Sequence, residues 1–405
     1  MSTTPSYPRV QRRSNRHSIA LALMLVVIAG CQQSPIRPSP TPTAHPSATS
    51  LAACPASAAP AGPQVILMNL PAPDDLAFDG DGRLLFGDIK AGTVSALNTD
   101  GSVQRLAGGL SAPEGIVVQA DGRILVAEQG RNRIVAIDPQ SHAVSPWRTF
   151  LNRTTNEGID GIGPILPARD AHGQLLPNAN NVIVPDSPNG VVWEVTPDGK
   201  TATLIASGMT RPAGAGIDAS GHIFVADEAG VLWVLVPARQ RFATLPTPDD
   251  VLVAKNGHIF VNTLGDNAIH ELDAQGHQVA VISRVQQPQG IALDAADNLY
   301  YTEFTGGRIG RVVRTFTLDP PKVSALGAGK FRICPSIRRA AGFTLPLGLT
   351  TGSSLQTSIL TVVQPGKDSS GALEVQTREH AITIFVNGGD GTNNYGLFQT
   401  IPLSP

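Results

Sequence analysis

The chain has 405 residues, only 15% of them charged, and its 30 Lys and Arg against 32 Asp and Glu leave a net charge of −2. That balance excludes a broad basic surface of the kind that binds nucleic acid, and it excludes a highly charged disordered chain. Its 41 Gly and 33 Pro make up about 18% of the residues against roughly 12% in average proteins, which points to short strands and turns rather than long helices.

The first segment reads as an export signal. Arg9, Arg12, Arg13 and Arg16 form a basic stretch, and Ile19 to Ala29 follow as a short apolar one. A helix needs about 20 apolar residues to cross a bilayer core of about 30 Å, so this stretch is too short to span and fits a secretory signal. Ile28-Ala29-Gly30-Cys31 resembles the lipobox of bacterial lipoproteins. The resemblance implies that residues 1–30 are removed, that Cys31 is lipidated, and that the protein is anchored to a membrane facing the periplasm or cell exterior. Residues 31–62 are rich in Pro, Ser, Thr and Ala with almost no charge. They cannot bury a core, and we expect a tether.

From residue 63 the chain repeats itself. Pro113-Glu114-Gly115-Ile116-Val117-Val118 leads to Asp121-Gly122-Arg123-Ile124-Leu125-Val126-Ala127-Glu128, and then to Asn132-Arg133-Ile134-Val135-Ala136-Ile137-Asp138. The same register starts at Pro73, Pro212, Pro248 and Pro288. A turn residue follows nine positions after each Pro, at Gly82, Gly122, Gly221, Gly257 and Asp297. An acid or Thr stands six further on, at Asp88, Glu128, Asp227, Thr263 and Glu303. A sixth copy is disguised: Asn156-Glu157-Gly158-Ile159 matches Pro-Glu-Gly-Ile, and an insertion of about fifteen residues (Asp160 to Ala179) separates it from Val182-Ile183-Val184-Pro185-Asp186. Short strands at a period near 40 are the mark of propeller blades.

The expected fold is therefore all-β, a six-bladed β-propeller over residues 63–316 followed by a small β-rich extension over 317–405. The segment from Val65 aligns with the outer strand of a blade, while the last blade, from Pro288 to about Phe316, is one strand short. We expect the first strand to complete the last blade, leaving no unsatisfied edge. That closure brings Cys54 and Cys334 near one another, and in an oxidising compartment a disulfide between them would clasp the ring.

The repeat Pro-Glu-Gly-Ile-Val-Val…Asp-Gly-Arg-Ile-Leu-Val-Ala-Glu…Asn-Arg-Ile-Val-Ala-Ile-Asp resembles an NHL repeat. The whole set resembles the superfamily that joins NHL propellers to the gluconolactonases (the senescence marker protein and luciferin-regenerating enzyme family). Leu299-Tyr300-Tyr301-Thr302-Glu303 with Gly307-Arg308-Ile309-Gly310-Arg311 also resembles streptogramin lyases. The resemblance covers residues 63–316 and implies a ligand site at one mouth of the central channel.

The innermost strand of each blade starts at that mouth, so the residue after each Pro, and after Asn156 in the disguised copy, should face the axis: Asp74, Glu114, Glu157, Ala213, Asp249 and Gln289. Carboxylates converging there must hold protons or a cation. Oxygen-only donors suit Ca²⁺ or Mg²⁺, so Asp74, Glu114, Glu157 and Asp249 are the candidate metal ligands, with Gln289 lining the channel. In the gluconolactonase-like relatives a divalent metal at this mouth polarises a lactone carbonyl or activates water, which makes a lactonase-like hydrolase the alternative to a binding module. The Asn-Gly ligand of that family has no counterpart on an innermost strand here. A second column, Asp88, Glu128, Asp186, Asp227 and Glu303, is expected to accept hydrogen bonds from neighbouring loops. The insertion, with Arg169, Asp170 and His172, belongs to the opposite mouth, and His222 and His258 read as strand-packing residues. The expected partners are the membrane, through the lipid, and a small molecule or protein at the mouth. No nucleic acid is expected, and the protein should be a monomer.

Overall fold

The computed structural model describes residues 64–151, 158–170, 172–312, 316–339, 347–351, 358–363, 373–389 and 394–404. Cys31, Cys54 and Glu157 lie outside them.

Each repeat becomes a small antiparallel sheet. The first blade is Pro73–Phe78, Leu84–Asp88, Thr93–Leu97 and Val103–Gly108, and the second is Pro113–Val118, Ile124–Glu128, Arg133–Ile137 and Val144–Thr149. The fourth runs from Pro212–Ile217 to Gln240–Thr244 and the fifth from Pro248–Val253 to Gln278–Ser283. Second strands such as Ile124–Glu128 are buried along their whole length. Neighbouring blades cover both faces, so these strands read as continuous apolar runs instead of alternating ones. Outer strands such as Val103–Gly108 are mostly exposed.

The ring closes as expected. Gln64–Met68 pairs antiparallel with Arg308–Arg311 and completes the blade begun by Ile291–Leu293 and Leu299–Glu303. This joins the start of the repeat array to its end without a free edge.

The third blade differs from the expected register. Val182–Asp186, Val191–Val195 and Ala202–Ser207 form its sheet, and the inner position is taken by the segment from residue 158, tied on by a bridge between Ile165 and Val182. The backbone N–H of Gly115 donates to Asp160 O at 3.2 Å. Asp160-Gly161-Ile162 therefore stands where Glu114-Gly115-Ile116 stands in the second blade, three residues later than the sequence pattern suggests. The insertion begins after this motif, not at Asp160.

The C-terminal extension is more than an appendage. Phe316–Gly327 and Lys330–Arg339 form a long hairpin that Leu373–Gln376 joins. Asn394–Pro402 pairs with Gln278–Ser283, the outer strand of the fifth blade, and links it through Ala381–Gly389 to Leu347–Thr351 and Ser358–Val363 in one eight-stranded sheet. Phe316, Phe331, Ile333, Ile384 and Tyr395 share a core with Ile269, Ala280, Leu299 and Tyr301 of the last two blades. Cys334 sits inside this hairpin, opposite Lys322, and is a free thiol. The expected bridge is thus not formed at Cys334 here, where the extension's hairpin and not the closing strand supplies its partner.

Candidate functional site at the channel mouth

Four innermost strands open with the same device. Their register slips between the Pro and the residue three positions on: Pro73/Leu76, Pro113/Ile116, Pro212/Ala215 and Pro248/Val251. Such a bulge re-aims the side chains inside it. Proline suits the first position because its missing N–H takes nothing from the ladder.

The result is a small cavity of about 20 Å³ lined by Asp74, Asp75, Glu114, Asp160, Asp249 and Asp250, with Gln289 and Ala213 among its other walls. That is room for about one water or ion. Asp74, Glu114, Asp249 and Gln289 line the cavity together. Asp160 completes the acidic wall on the third blade.

Asp75 and Asp250 escaped the sequence pattern, although a signal was present. The residue after each axis residue is Gly115, Gly161, Gly214 and Gly290 in four blades, but Asp in the first and fifth. The glycines are there because adjacent inner strands meet backbone to backbone. A Cβ on Gly161 would lie 2.3 Å from Ala213 O, and one on Gly290 would lie 2.4 Å from Asp75 Cα. Asp75 and Asp250 replace that close approach with hydrogen bonds to the next blade. Asp75 accepts from Leu76 N at 2.7 Å and from Ile116 N of the second blade. Asp250 accepts from Val251 N at 2.8 Å and from Ile291 N of the sixth at 3.4 Å.

The other partners are sparse. Glu114 Oε2 accepts from Gln129 Nε2 at 2.6 Å. Arg211 donates from Nη2 to Asp160 at 2.5 Å and from Nε to Glu228 at 2.7 Å. Asp74 is 5% exposed, and its Oδ2 is buried without a hydrogen-bond partner. Fully buried Asn262 donates to Pro288 O and Gln289 O, fixing the backbone beside Gln289.

Crowded and buried, these acids resist ionisation. Burial raises Asp74 well above the usual carboxylate range, helped by the charges of Asp160 and Asp250, while the Gln289 amide works against it. Burial likewise raises Asp75, with Asp250 adding to it, and Glu114, with Asp160 adding to it. Burial raises Asp249 as well, with the charges of Asp160 and Asp74 adding to it, and Asp250 is pushed up to about 7 by burial. The mouth must therefore carry protons or a compensating cation near neutral pH. Among the described residues, no three His, Cys, Asp or Glu side chains are gathered in ligating geometry. The carboxylates surround one ion-sized space in rotamers set partly by backbone N–H donors.

The second column does what was expected of it. Asp88 accepts from Ala72 N and Ala91 N, and Asp186 from Asn189 and Trp193. Glu128 accepts from Ser111 N and pairs with Arg133; Asp227 accepts from Thr210 N and Arg211 N, and Glu303 from Gln286 N and Arg308. Arg169, Asp170 and His172 do not line the mouth cavity. His222 and His258 are paired, with Asp218 and Glu271 respectively.

No family model matches the chain, and no curated protein matches it significantly in sequence. Solved structures do share its shape. A gluconolactonase from Xanthomonas campestris superposes with a TM-score of 0.51 at 17% identity, over 66% of this chain and 98% of its own. A second protein assigned by name to the gluconolactonases gives 0.50 at 14% identity, over 64% and 93%. Regucalcin from Agrobacterium tumefaciens, a calcium-binding protein, gives 0.49 at 14% identity, over 64% and 95%. At these identities the likeness is one of fold. The chain is a β-propeller, like the two structures named as gluconolactonases.

Proposed function

We propose that this protein is an exported, lipid-anchored propeller whose acidic mouth binds a divalent cation, Ca²⁺ or Mg²⁺, and through it a small molecule or partner. The observation that carries the reading is Asp74 Oδ2, a buried carboxylate oxygen with no partner in a cavity walled by five other acids. Leaving such an atom unpaired costs about 1–3 kcal/mol, more when it is charged, and a cation removes that cost. Asp74, Glu114, Asp160 and Asp249 offer oxygen alone, which favours a hard cation over a softer one. Glu157 remains a candidate from the sequence alone.

When bound, the cation would supply Lewis acidity or fixed positive charge to a ligand oxygen. The chain's own residues hold and orient. Gln289 and Asn262 fix the sixth-blade side of the mouth, Arg211 holds Asp160, and Ala213 contributes no donor on the fourth. The alternative is a lactonase-like hydrolase, for which the named gluconolactonases of the same fold make lactones the first substrates to try.

The test is the divalent-metal content of the full chain beside Glu114→Ala and Asp160→Ala. We expect bound metal in the parent and its loss in both variants. A metal-free parent, or variants that keep their metal, would overturn the reading. Turnover of a lactone panel by the metal-bound protein separates the enzyme from the binding module.

A further inference from the structure

A second cavity lies where the C-terminal extension meets the fifth blade. It encloses about 310 Å³ between His258 and Glu271 on the blade and Leu318, Tyr395, Phe398 and Gln399 on the extension. Its origin is a mismatch of strand lengths. Asn394–Pro402 pairs with the blade only from Asn394 to Leu397, while its pairing with Ala381–Gly389 continues to Pro402. Phe398 and Gln399 thus run on past the blade's last ladder bond, and a cleft opens beneath them.

Two polar groups line this apolar space, the His258–Glu271 pair and Gln399. His258 Nδ1 lies 2.6 Å from Glu271 Oε1, and the Glu271 side chain is 5% exposed against 33% for His258. The imidazole holds the Glu271 carboxylate at the edge of the cleft. Gln399 is anchored by Nε2, which donates to Asp319 O at 3.0 Å, and this leaves its Oε1 buried without a partner. The cleft therefore offers an amide oxygen and one carboxylate beside the rings of Tyr395 and Phe398, and none of the described residues lining it is Lys or Arg. A ligand that satisfies it brings hydrogen-bond donors, positive charge and apolar bulk.

We propose that this cleft binds a small organic ammonium ion with an apolar body, held by the His258–Glu271 pair and by Gln399 Oε1. The site is independent of the mouth and needs no metal.

The test uses the full chain with phenethylammonium as probe and phenylacetate, of like size and opposite charge, as its counterpart. Calorimetry or ligand-observed NMR should give saturable binding of the ammonium and at least about tenfold weaker binding of the carboxylate. Gln399→Leu should weaken the ammonium about tenfold, the scale of one hydrogen bond to a charged group. Leu318→Trp should abolish binding by filling the cleft. Circular dichroism and thermal melting identify which variants are folded, and either folded variant decides the matter. No saturable binding of the ammonium, equal binding of phenylacetate, or unchanged affinity in a folded variant would overturn the proposal.

Discussion

Replacing Asp250 by Asn should make the metal-free protein more stable, by an amount that grows as pH rises from about 4 to about 7. The Asp250 carboxyl is buried against the N–H groups of Val251 and Ile291, and burial moves it from 3.8 to about 7. That displacement corresponds to roughly 4 kcal/mol. The sign follows from proton binding. A carboxyl with a raised value holds its proton more tightly in the folded state than in the unfolded one, so folding is favoured below the unfolded value. Stability is lost as pH rises from about 4 through about 7. Asp74, Asp75, Glu114 and Asp249 are displaced in the same direction and deepen the loss. Asp250→Asn keeps the side-chain size and an acceptor for Val251 N, but it cannot ionise. Weakening the Ile291 contact costs about 1 kcal/mol. Urea unfolding in chelator at about pH 8 should therefore find the variant more stable by ~3 kcal/mol, and at about pH 5, where the parent has lost only ~1.6 kcal/mol, by less than ~1 kcal/mol. A parent equally stable at both values, or a variant weakened equally at both, would refute the reasoning.

Other substitutions probe the scaffold that builds the mouth. A Cβ on Gly115 would lie 2.2 Å from Ile162 N, so Gly115→Ala should cost about 1–3 kcal/mol in denaturant unfolding. Gly80→Ala, whose Cβ meets nothing within 4 Å, should change stability by less than about 0.5 kcal/mol. Glu128 is fully buried among Ser111 N, Arg131 and Arg133, and Glu128→Ala should cost about 1–3 kcal/mol, chiefly by leaving Ser111 N unpaired, since both arginines reach solvent. Phe316→Ala removes a ring that is 1% exposed and packs 5.5 Å from Tyr395; a loss of about 3–5 kcal/mol would show that blades and extension unfold as one unit, whereas two separate transitions would show that they do not.

Much of the ring was legible because its chemistry recurs. Pro, turn glycine and buried acid mark each blade at fixed spacing, and the acid's role as loop anchor is local. The closing strand was legible for the same reason, since an outer strand without a blade has one place to go. The third blade was misread because Glu157-Gly158-Ile159 and Asp160-Gly161-Ile162 are both fair copies of the motif. Only backbone contact with Gly115 decides between them, and that contact joins residues distant in sequence. Asp75 and Asp250 were hidden because their function depends on the next blade's N–H groups, about forty residues on. The extension's docking was illegible because a strand added to a blade edge uses backbone bonds, which leave no residue code.

The most direct test of the acidic mouth as a cation site is its exchange of protons for metal. If buried carboxyls hold protons until a cation replaces them, Ca²⁺ or Mg²⁺ binding near pH 6.5 must release about one proton or more per ion. Calorimetry of the full chain in two buffers of different ionisation enthalpy counts those protons. Binding with proton release is expected in the parent, and both should be lost in Asp74→Asn. Absence of binding, or binding that releases no protons and survives that substitution, would contradict a cation site at the mouth.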